Sequence, residues 1–86
     1  MNISRNCWYV YIVRCNDGTL YTGIAKDIKR RLGEHNSGKG GAKYTKSRRP
    51  VELVFSEQVE SRSAAAKLEY QFKSMSLAKK KEMIAK

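Results

Sequence analysis

Cysteine, proline and histidine are all scarce in this chain of 86 residues, which has two cysteines, one proline and one histidine. The cysteines, Cys7 and Cys15, have neither CxxC spacing nor a histidine cluster nearby, so a zinc site is not expected. Two thiols also do not indicate a disulfide scaffold. We therefore expect a reduced protein of the cytoplasm.

Long apolar runs are missing as well, because no stretch approaches the length that crosses a membrane. No signal peptide precedes the first expected strand. Hydrophobic residues still make up 41% of the sequence, so a packed fold is expected rather than disorder. No repeat or linker divides the chain, and we expect one domain spanning residues 1–86.

Acidic residues are few, with 8 Asp and Glu against 18 Lys and Arg, and the net charge is +10. A surplus of this size favours polyanionic partners, with nucleic acid first and an anionic membrane surface second. No acid occurs in the segment 37–50, SGKGGAKYTKSRRP, which contains three glycines and five basic residues. We interpret it as a flexible cationic loop, and the alternative is a solvated segment without a binding role.

The pattern of apolar residues predicts strands over 8–15, 19–24 and 51–57 and helices over about 27–36, 62–74 and 77–85. The order ββαβαα predicts an α+β fold, in which a central three-stranded, mainly antiparallel sheet is flanked by helices. Helix caps are expected at Asp27, at Ser61 or Ser63, and at Ser76. The spacing of Ile24, Ile28 and Leu32 predicts one core-facing stripe, and Leu77 and Ile84 are expected to face inward on the last helix.

Asn16, Asp17 and Gly18 form the expected turn between the first two strands. A two-residue Asp17-Gly18 loop would place Tyr11 and Tyr21 on opposite faces of the sheet. A three-residue loop, with Gly18 in a left-handed bulge, would place both on one face. The sequence alone does not decide between the two loops. A shared site requires the three-residue loop, and we predict it.

Several side chains of the first two strands and the first helix suit the hydrolysis of a phosphodiester. This reaction needs an activated water and a cation near the phosphate. A tyrosine is a poor base at its usual pKa of about 10 unless a cation lowers that value, and basic neighbours are at hand. Arg31 offers a planar fork for phosphate, and His35 follows it by one helical turn. For each residue the alternative is structural. It is sheet packing for Tyr11 or Tyr21, a solvated helix position for Arg31, and a polar group at the helix end for His35.

Glu69, within KLEYQFK, is the candidate carboxylate for a divalent metal, and its plain alternative is an i, i+4 ion pair with Lys73. Backbone phosphates are expected to contact a set of cations on the first helix and the loop, which consists of Lys29, Arg30, Lys39, Lys43, Lys46, Arg48 and Arg49. Such contacts carry no sequence code, so binding is expected to depend on salt and on nucleic-acid structure.

Several sequence blocks occur together in order. They are Tyr9-Val10-Tyr11, then Tyr21-Thr22-Gly23, then KDIKRRL, then HNSGKGGAKYTKSRRPVELVF and KLEYQFK. Taken together, the blocks resemble the GIY-YIG nuclease superfamily over nearly the whole chain, and in particular its small stand-alone YhbQ-like subgroup. The resemblance also extends to the nuclease domain of structure-specific, junction-resolving endonucleases. The chain departs from the family pattern in lacking the glycine of the first motif and a downstream asparagine, while Thr22 is a mild change in the second motif.

The resemblance implies candidate catalytic residues, namely Tyr11, Tyr21, Arg31, His35 and Glu69. It implies that Arg31 holds the scissile phosphate and that a tyrosine takes part in removing the proton from water. It also implies that Glu69 holds one divalent ion, Mg²⁺ or Mn²⁺. A single carboxylate suits Mg²⁺, which keeps much of its hydration shell. Gly23 would let the chain approach the site closely.

Two functions follow from these observations. The first is a metal-dependent endonuclease that hydrolyses DNA phosphodiester bonds in DNA repair or recombination. The second is a nucleic-acid-binding module of the same fold with little or no catalytic activity, which the missing motif residues favour. A basic protein that associates with RNA or the ribosome is a third interpretation.

Overall fold

The computed structural model describes residues 7–37 and 48–85. Its elements follow the order ββαβαα and are β1 (Trp8–Arg14), β2 (Leu20–Ala25), α1 (Ile28–Ser37), β3 (Glu52–Val59), α2 (Arg62–Ser74) and α3 (Leu77–Ile84). β1 is the central strand and pairs antiparallel with β2 and β3, which gives the sheet order β2-β1-β3. The predicted α+β architecture is confirmed, with element ends shifted by only one or two residues.

The turn between β1 and β2 has the three-residue form that a shared tyrosine face requires. The amide of Gly18 donates to the Cys15 carbonyl at 2.9 Å, and the amide of Cys15 donates to the Thr19 carbonyl at 2.8 Å. Gly18 has φ +86°, the left-handed conformation that glycine adopts without strain. Tyr11 lies opposite Gly23 and Val13 lies opposite Tyr21. Both tyrosines therefore project from one face of the sheet, as predicted.

The two faces of the sheet have separate cores. One core is built on Tyr11, Val13 and Cys15 of the hairpin and is covered by Ile28 and Leu32 of α1. The other core contains Val10, Ile12, Ala65 and Phe72, so that α2 packs on the opposite face from α1. The helices are thus divided between the two faces, and α3 joins α2 through Met83 and Ile84.

Side-chain caps fix where the helices begin. Asp27 accepts from the Arg30 amide at 3.0 Å, Ser61 from the Ala64 amide at 3.0 Å, and Ser76 from the Lys79 amide at 3.1 Å; these are the predicted caps. Two expectations for apolar residues are wrong. Ile24 packs with the α2 core and not with Ile28 and Leu32, because it lies in β2 where side chains alternate between faces. Leu77 is 53% exposed and does not face inward.

No helix among residues 7–37 and 48–85 is both long enough and apolar enough to cross a membrane.

Candidate active site

The hydroxyl of Tyr11 is the centre of a polar cluster under α1. Tyr11 is only 2% exposed, and its hydroxyl shares a hydrogen bond of 2.9 Å with Nε2 of His35. Gly23 lies directly opposite Tyr11 on the edge strand β2, and a Cβ added there would be 2.6 Å from the hydroxyl. Because glycine has no Cβ, the tyrosine ring can extend across β2 towards the edge of the sheet.

His35 is almost fully buried, with 1% exposure, near the end of α1. The next residue, Asn36, fixes this end of the helix to the chain before β3. Its side chain donates to the Val51 carbonyl at 3.1 Å and accepts from the Val51 amide at 2.7 Å. The imidazole also packs edge-on against Tyr21, with 5.6 Å between ring centroids, and against Tyr11, with 6.0 Å. The histidine is therefore held by the two tyrosines and by the anchored helix end.

Arg31, one helical turn before His35, brings a cation to the same hydroxyl. Its guanidinium interacts with Tyr11 and donates through Nη1 to Oε1 of Glu34 at 2.8 Å. Glu34 also forms an ion pair with Nε of Arg30 at 3.4 Å. These side chains border a shallow pocket of about 200 Å³, which opens beside the polar cluster. Arg31 is thus both anchored in the cluster and exposed to a molecule entering the pocket.

Burial sets the protonation state of the two central groups. Burial raises the pKa of Tyr11, and the hydrogen bond with Arg31, which lowers that pKa, offsets only part of the effect. The expectation that basic neighbours would lower the tyrosine pKa is therefore wrong, because the loss of water outweighs the cation. Burial also lowers the pKa of His35, and the charge of Arg31 lowers it further. At neutral pH the cluster contains a neutral phenol next to a neutral imidazole.

Glu69 lies on α2 and interacts with this cluster through its charge. The apolar residues of α2 pack on the face of the sheet opposite to Tyr11. The carboxylate is 24% exposed and forms an ion pair with Nζ of Lys73 at 3.3 Å, the structural alternative considered from sequence. Its charge nevertheless contributes, as the smallest of several causes, to raising the pKa of Tyr11. Glu69 and Tyr11 are therefore close enough to interact electrostatically.

The donors present fit a hydrated divalent ion rather than a closed metal cage. Across residues 7–37 and 48–85 there is no group of three or more His, Cys, Asp or Glu side chains that could enclose a metal. Glu69 is a single, partly exposed carboxylate, and Mg²⁺ is commonly held by one or two carboxylates together with water and substrate phosphate.

The predicted phosphate-binding cations fall into different parts of the chain. Lys29 and Arg30 are exposed on α1. Arg48 donates through Nε to Asp17 at 3.0 Å, and its carbonyl accepts from the Asn16 amide at 2.8 Å, so it joins the turn end of the sheet. Arg49 is partly buried. Three further predicted cations, Lys39, Lys43 and Lys46, lie outside the described residues.

Two further residues, Glu34 and Asn36, contribute to the cluster without having been expected as site residues. Glu34 holds Arg31, and the i, i+3 spacing of the two residues on a helix could have indicated the contact. Asn36 is the last residue of the helix predicted over about 27–36, and it fixes the position of His35 through two hydrogen bonds to Val51. No local pattern indicates the second contact, because it joins residues that are 15 positions apart.

The fold is an α+β domain in which a polar cluster lies over a glycine of a three-stranded antiparallel sheet, and the model of the GIY-YIG catalytic domain matches residues 7–82. The chain belongs to the GIY-YIG nuclease superfamily. Nucleases of this superfamily act on nucleic acid and generally depend on a divalent metal ion.

Individual relatives agree with this placement. A UPF0213 protein of Syntrophus aciditrophicus is 60% identical over 82 residues, which cover 95% of this chain and 92% of the relative. A UPF0213 protein of Desulfotalea psychrophila is 54% identical over 80 residues, covering 93% and 73%. The solution NMR structure of a UPF0213 protein from Bacillus halodurans is similar, with 43% identity, a TM-score of 0.59, and coverage of 92% of this chain and 83% of that one.

Proposed function

We propose that the protein is a metal-dependent endonuclease that hydrolyses phosphodiester bonds of DNA. The observation that carries the proposal is the buried Tyr11 hydroxyl, which is bonded to a neutral His35 and lies beside Arg31 at an open pocket. A cation, a hydroxyl and a proton acceptor in direct contact are the groups that phosphodiester hydrolysis needs.

Tyr11 and His35 together form a path for the proton of the attacking water. As water attacks phosphorus, its proton passes to the Tyr11 oxygen while the phenol proton passes to Nε2 of His35, in the tautomer that leaves Nε2 unprotonated. Because the phenol gives up a proton as it receives one, its raised pKa does not prevent the transfer. The bond from phosphorus to the sugar oxygen breaks, and that oxygen takes a proton from solvent.

Arg31 holds the scissile phosphate and offsets the negative charge that builds up on its oxygens. Glu69 would hold Mg²⁺ or Mn²⁺, which when bound supplies further positive charge at the phosphate and the leaving oxygen. Tyr21 packs against His35 and keeps the imidazole in place. Each of the five candidate residues thereby has a distinct role.

The substrate and setting also belong to the proposal. The net charge of +10 supports a nucleic-acid substrate. Contacts with backbone phosphates do not read the base sequence, so the substrate is recognised by its structure, as branched, nicked or single-stranded DNA. We propose that the enzyme acts in DNA repair or recombination and that it does so in the cytoplasm. We also propose that residues 1–86 form one domain.

The second candidate function is a nucleic-acid-binding module of the same fold without catalysis. Two ion pairs favour it: Arg31 with Glu34 at 2.8 Å, and Glu69 with Lys73 at 3.3 Å. Both charged groups needed for catalysis have opposite charges as partners, and a substrate would have to compete for them.

Cleavage of plasmid and branched DNA with Mg²⁺, with Mn²⁺ and with EDTA separates the two functions. Tyr11→Phe, Arg31→Ala and Glu69→Ala are each expected to reduce cleavage by roughly 100-fold or more. Tyr70→Phe is the matched control, because Tyr70 is 74% exposed on α2, and it should cleave like the wild type. Circular dichroism checks that every variant is folded.

The outcomes are distinct. Cleavage that needs the metal ion and disappears in all three variants supports the endonuclease. DNA binding that persists across the set without any cleavage supports the binding module. Cleavage that continues in EDTA, or in Glu69→Ala, contradicts the metal role of Glu69.

A further inference from the structure

The end of the sheet farthest from the Asn16–Gly18 turn gathers two cations around one aromatic ring. Trp8 begins β1, Lys26 follows the last residue of β2, and Arg62 begins α2. Nζ of Lys26 lies 5.5 Å from the centre of the Trp8 ring, and Cζ of Arg62 lies 5.8 Å from it. We call these three residues the Trp8 cluster.

The charges of the Trp8 cluster are not neutralised by nearby acids. Within residues 7–37 and 48–85, neither Lys26 nor Arg62 forms an ion pair with a carboxylate. Asp27, next to Lys26, accepts a hydrogen bond from the first turn of α1. Glu60, two residues before Arg62, is exposed and not paired with it. Two like charges therefore meet at an aromatic ring, whose negative face attracts each of them.

The pocket beside the candidate active site connects that site with the Trp8 cluster. Lys26 lines the same pocket of about 200 Å³ as Arg30 and Arg31, and Arg31 interacts with Tyr11. Lys26 therefore belongs both to the pocket and to the Trp8 cluster, and Arg62 lies near the same Trp8 ring.

We propose that the Trp8 cluster binds the phosphate backbone of the nucleic-acid strand that leaves the candidate active site. Lys26 and Arg62 contact phosphates, and Trp8 is a positioning residue that keeps the two cations close together in the absence of ligand. The proposal rests on the proposed function in one respect, namely that the substrate is nucleic acid.

The cations of the Trp8 cluster differ from Arg48 of the cationic loop in having no carboxylate partner among the described residues. Arg48, at the turn end, already donates to Asp17 at 3.0 Å, so its guanidinium has a carboxylate partner in the folded chain. Lys26 and Arg62 need not give up a carboxylate to accept a phosphate. Their contribution to binding is therefore expected to be larger than that of Arg48.

Binding of a labelled single-stranded oligonucleotide and of its duplex, measured in EDTA over a series of salt concentrations, tests the proposal. Lys26→Gln/Arg62→Gln should reduce affinity by roughly 10- to 100-fold at 0.1 M salt. It should lower the salt slope by about 1.4 for the single strand and about 1.8 for the duplex. The charge-matched control, Lys79→Gln/Lys81→Gln on exposed positions of α3, should bind within about threefold of the wild type.

Trp8→Leu separates positioning from charge. It removes the ring but no charge, and it should weaken binding by about threefold to tenfold, whereas Trp8→Phe should recover part of the loss. Since Trp8 also packs in the α2 core, the charge variants test the proposal even if Trp8→Leu does not fold.

An unchanged salt slope in Lys26→Gln/Arg62→Gln, or an equal loss in the α3 control, overturns the proposal while leaving the endonuclease intact. Absence of any oligonucleotide binding by the wild type overturns the proposed function itself. Binding of the wild type to phosphatidylserine vesicles, but not to oligonucleotide, would also overturn both.

Discussion

The face of the sheet under α1 and the face under α2 are built for different purposes. Under α1, Tyr11 and His35 are almost fully buried, yet they are polar and bonded to each other. Under α2, the buried residues Ile12, Ala65 and Phe72 are apolar and fill the core. Apolar side chains stabilise a fold through burial alone, whereas buried polar groups also need hydrogen-bond partners. Substitutions on the α2 face should therefore mainly affect stability, and those on the α1 face should mainly affect activity.

Phe72→Ala is expected to have the largest effect, because it opens a cavity on the α2 face. Phe72 is 4% exposed and packs edge-on against Phe55 at 5.5 Å between ring centroids. The free energy of unfolding, measured by urea denaturation, should fall by about 3–5 kcal/mol. Tyr70→Ala on the same helix, at a position 74% exposed, should cost less than about 0.5 kcal/mol. Similar losses for both variants would contradict the assignment of the core to this face.

Gly23→Ala should have the next largest effect, and it addresses the α1 face. The new Cβ would lie 2.6 Å from the Tyr11 hydroxyl and 3.2 Å from Cε2 of Tyr21. The buried Tyr11 ring has to move, so its bond to His35 should be lost. Cleavage should fall by roughly 100-fold, and the free energy of unfolding by about 1–3 kcal/mol.

Gly33→Ala is the control for this glycine. Gly33 lies in α1, and a Cβ there meets nothing within 4 Å. Because alanine is the better helix former, this variant should raise the free energy of unfolding by about 0.5–1 kcal/mol and leave cleavage unchanged. If Gly23→Ala cleaves as well as Gly33→Ala, the close approach of Tyr11 and Gly23 is not needed for activity.

The helix caps could be predicted from the sequence because each depends only on neighbouring residues. Asp27, Ser61 and Ser76 each accept a hydrogen bond from an amide three residues ahead. For the Asn16–Gly18 loop the sequence left two forms open, and the three-residue form was predicted because a shared tyrosine site requires it. The structure has that form, which determines which residues face each other across the hairpin.

The remaining features depend on the packing of distant segments. The position of Glu69 relative to Tyr11 depends on where α2 packs on the sheet, and no residue near Glu69 specifies that packing. Ile24 was placed with the wrong core because a helical period was extended into β2. The pKa of Tyr11 was misjudged because the sequence shows the cations near Tyr11 but not the depth of its burial.

Thr22→Val should raise the free energy of unfolding, by less than Phe72→Ala lowers it, because Thr22 is a polar residue on the apolar α2 face. It lies opposite Ile12, is 2% exposed, and its Oγ1 has no hydrogen-bond partner among the residues the structure describes. Valine has the same shape without the hydroxyl, so the free energy of unfolding should rise by about 1–2 kcal/mol in thermal or urea denaturation.

Thr19→Val is the matched control for this threonine. The hydroxyl of Thr19 donates to Asp17 at 2.6 Å, so its removal should lower the free energy of unfolding, by up to about 1 kcal/mol. A loss of stability in Thr22→Val as well would show that its hydroxyl has a partner that stabilises the folded chain.

The smallest expected effect is a dependence of stability on pH that comes from His35. Burial, and then the charge of Arg31, lower the pKa of His35 in the folded chain below its ordinary value of about 6.5. As the pH falls below about 6.5, the unfolded chain takes up a proton that the folded chain does not, so stability decreases until the folded pKa is reached. The slope in this window is at most about 1.4 kcal/mol per pH unit.

Urea denaturation of the wild type and of His35→Gln from pH 7.5 to 5 measures this slope. Of the charged groups near the imidazole, Arg31 stays protonated, Tyr11 stays neutral because its pKa is raised, and Glu34 stays ionised because the Arg31 hydrogen bond lowers its pKa. The difference between the two proteins therefore reports His35 alone. The wild type should lose stability as the pH falls, and His35→Gln should lose less. Equal slopes would mean that the histidine takes up its proton as readily in the folded chain, and that the α1 face does not keep it neutral.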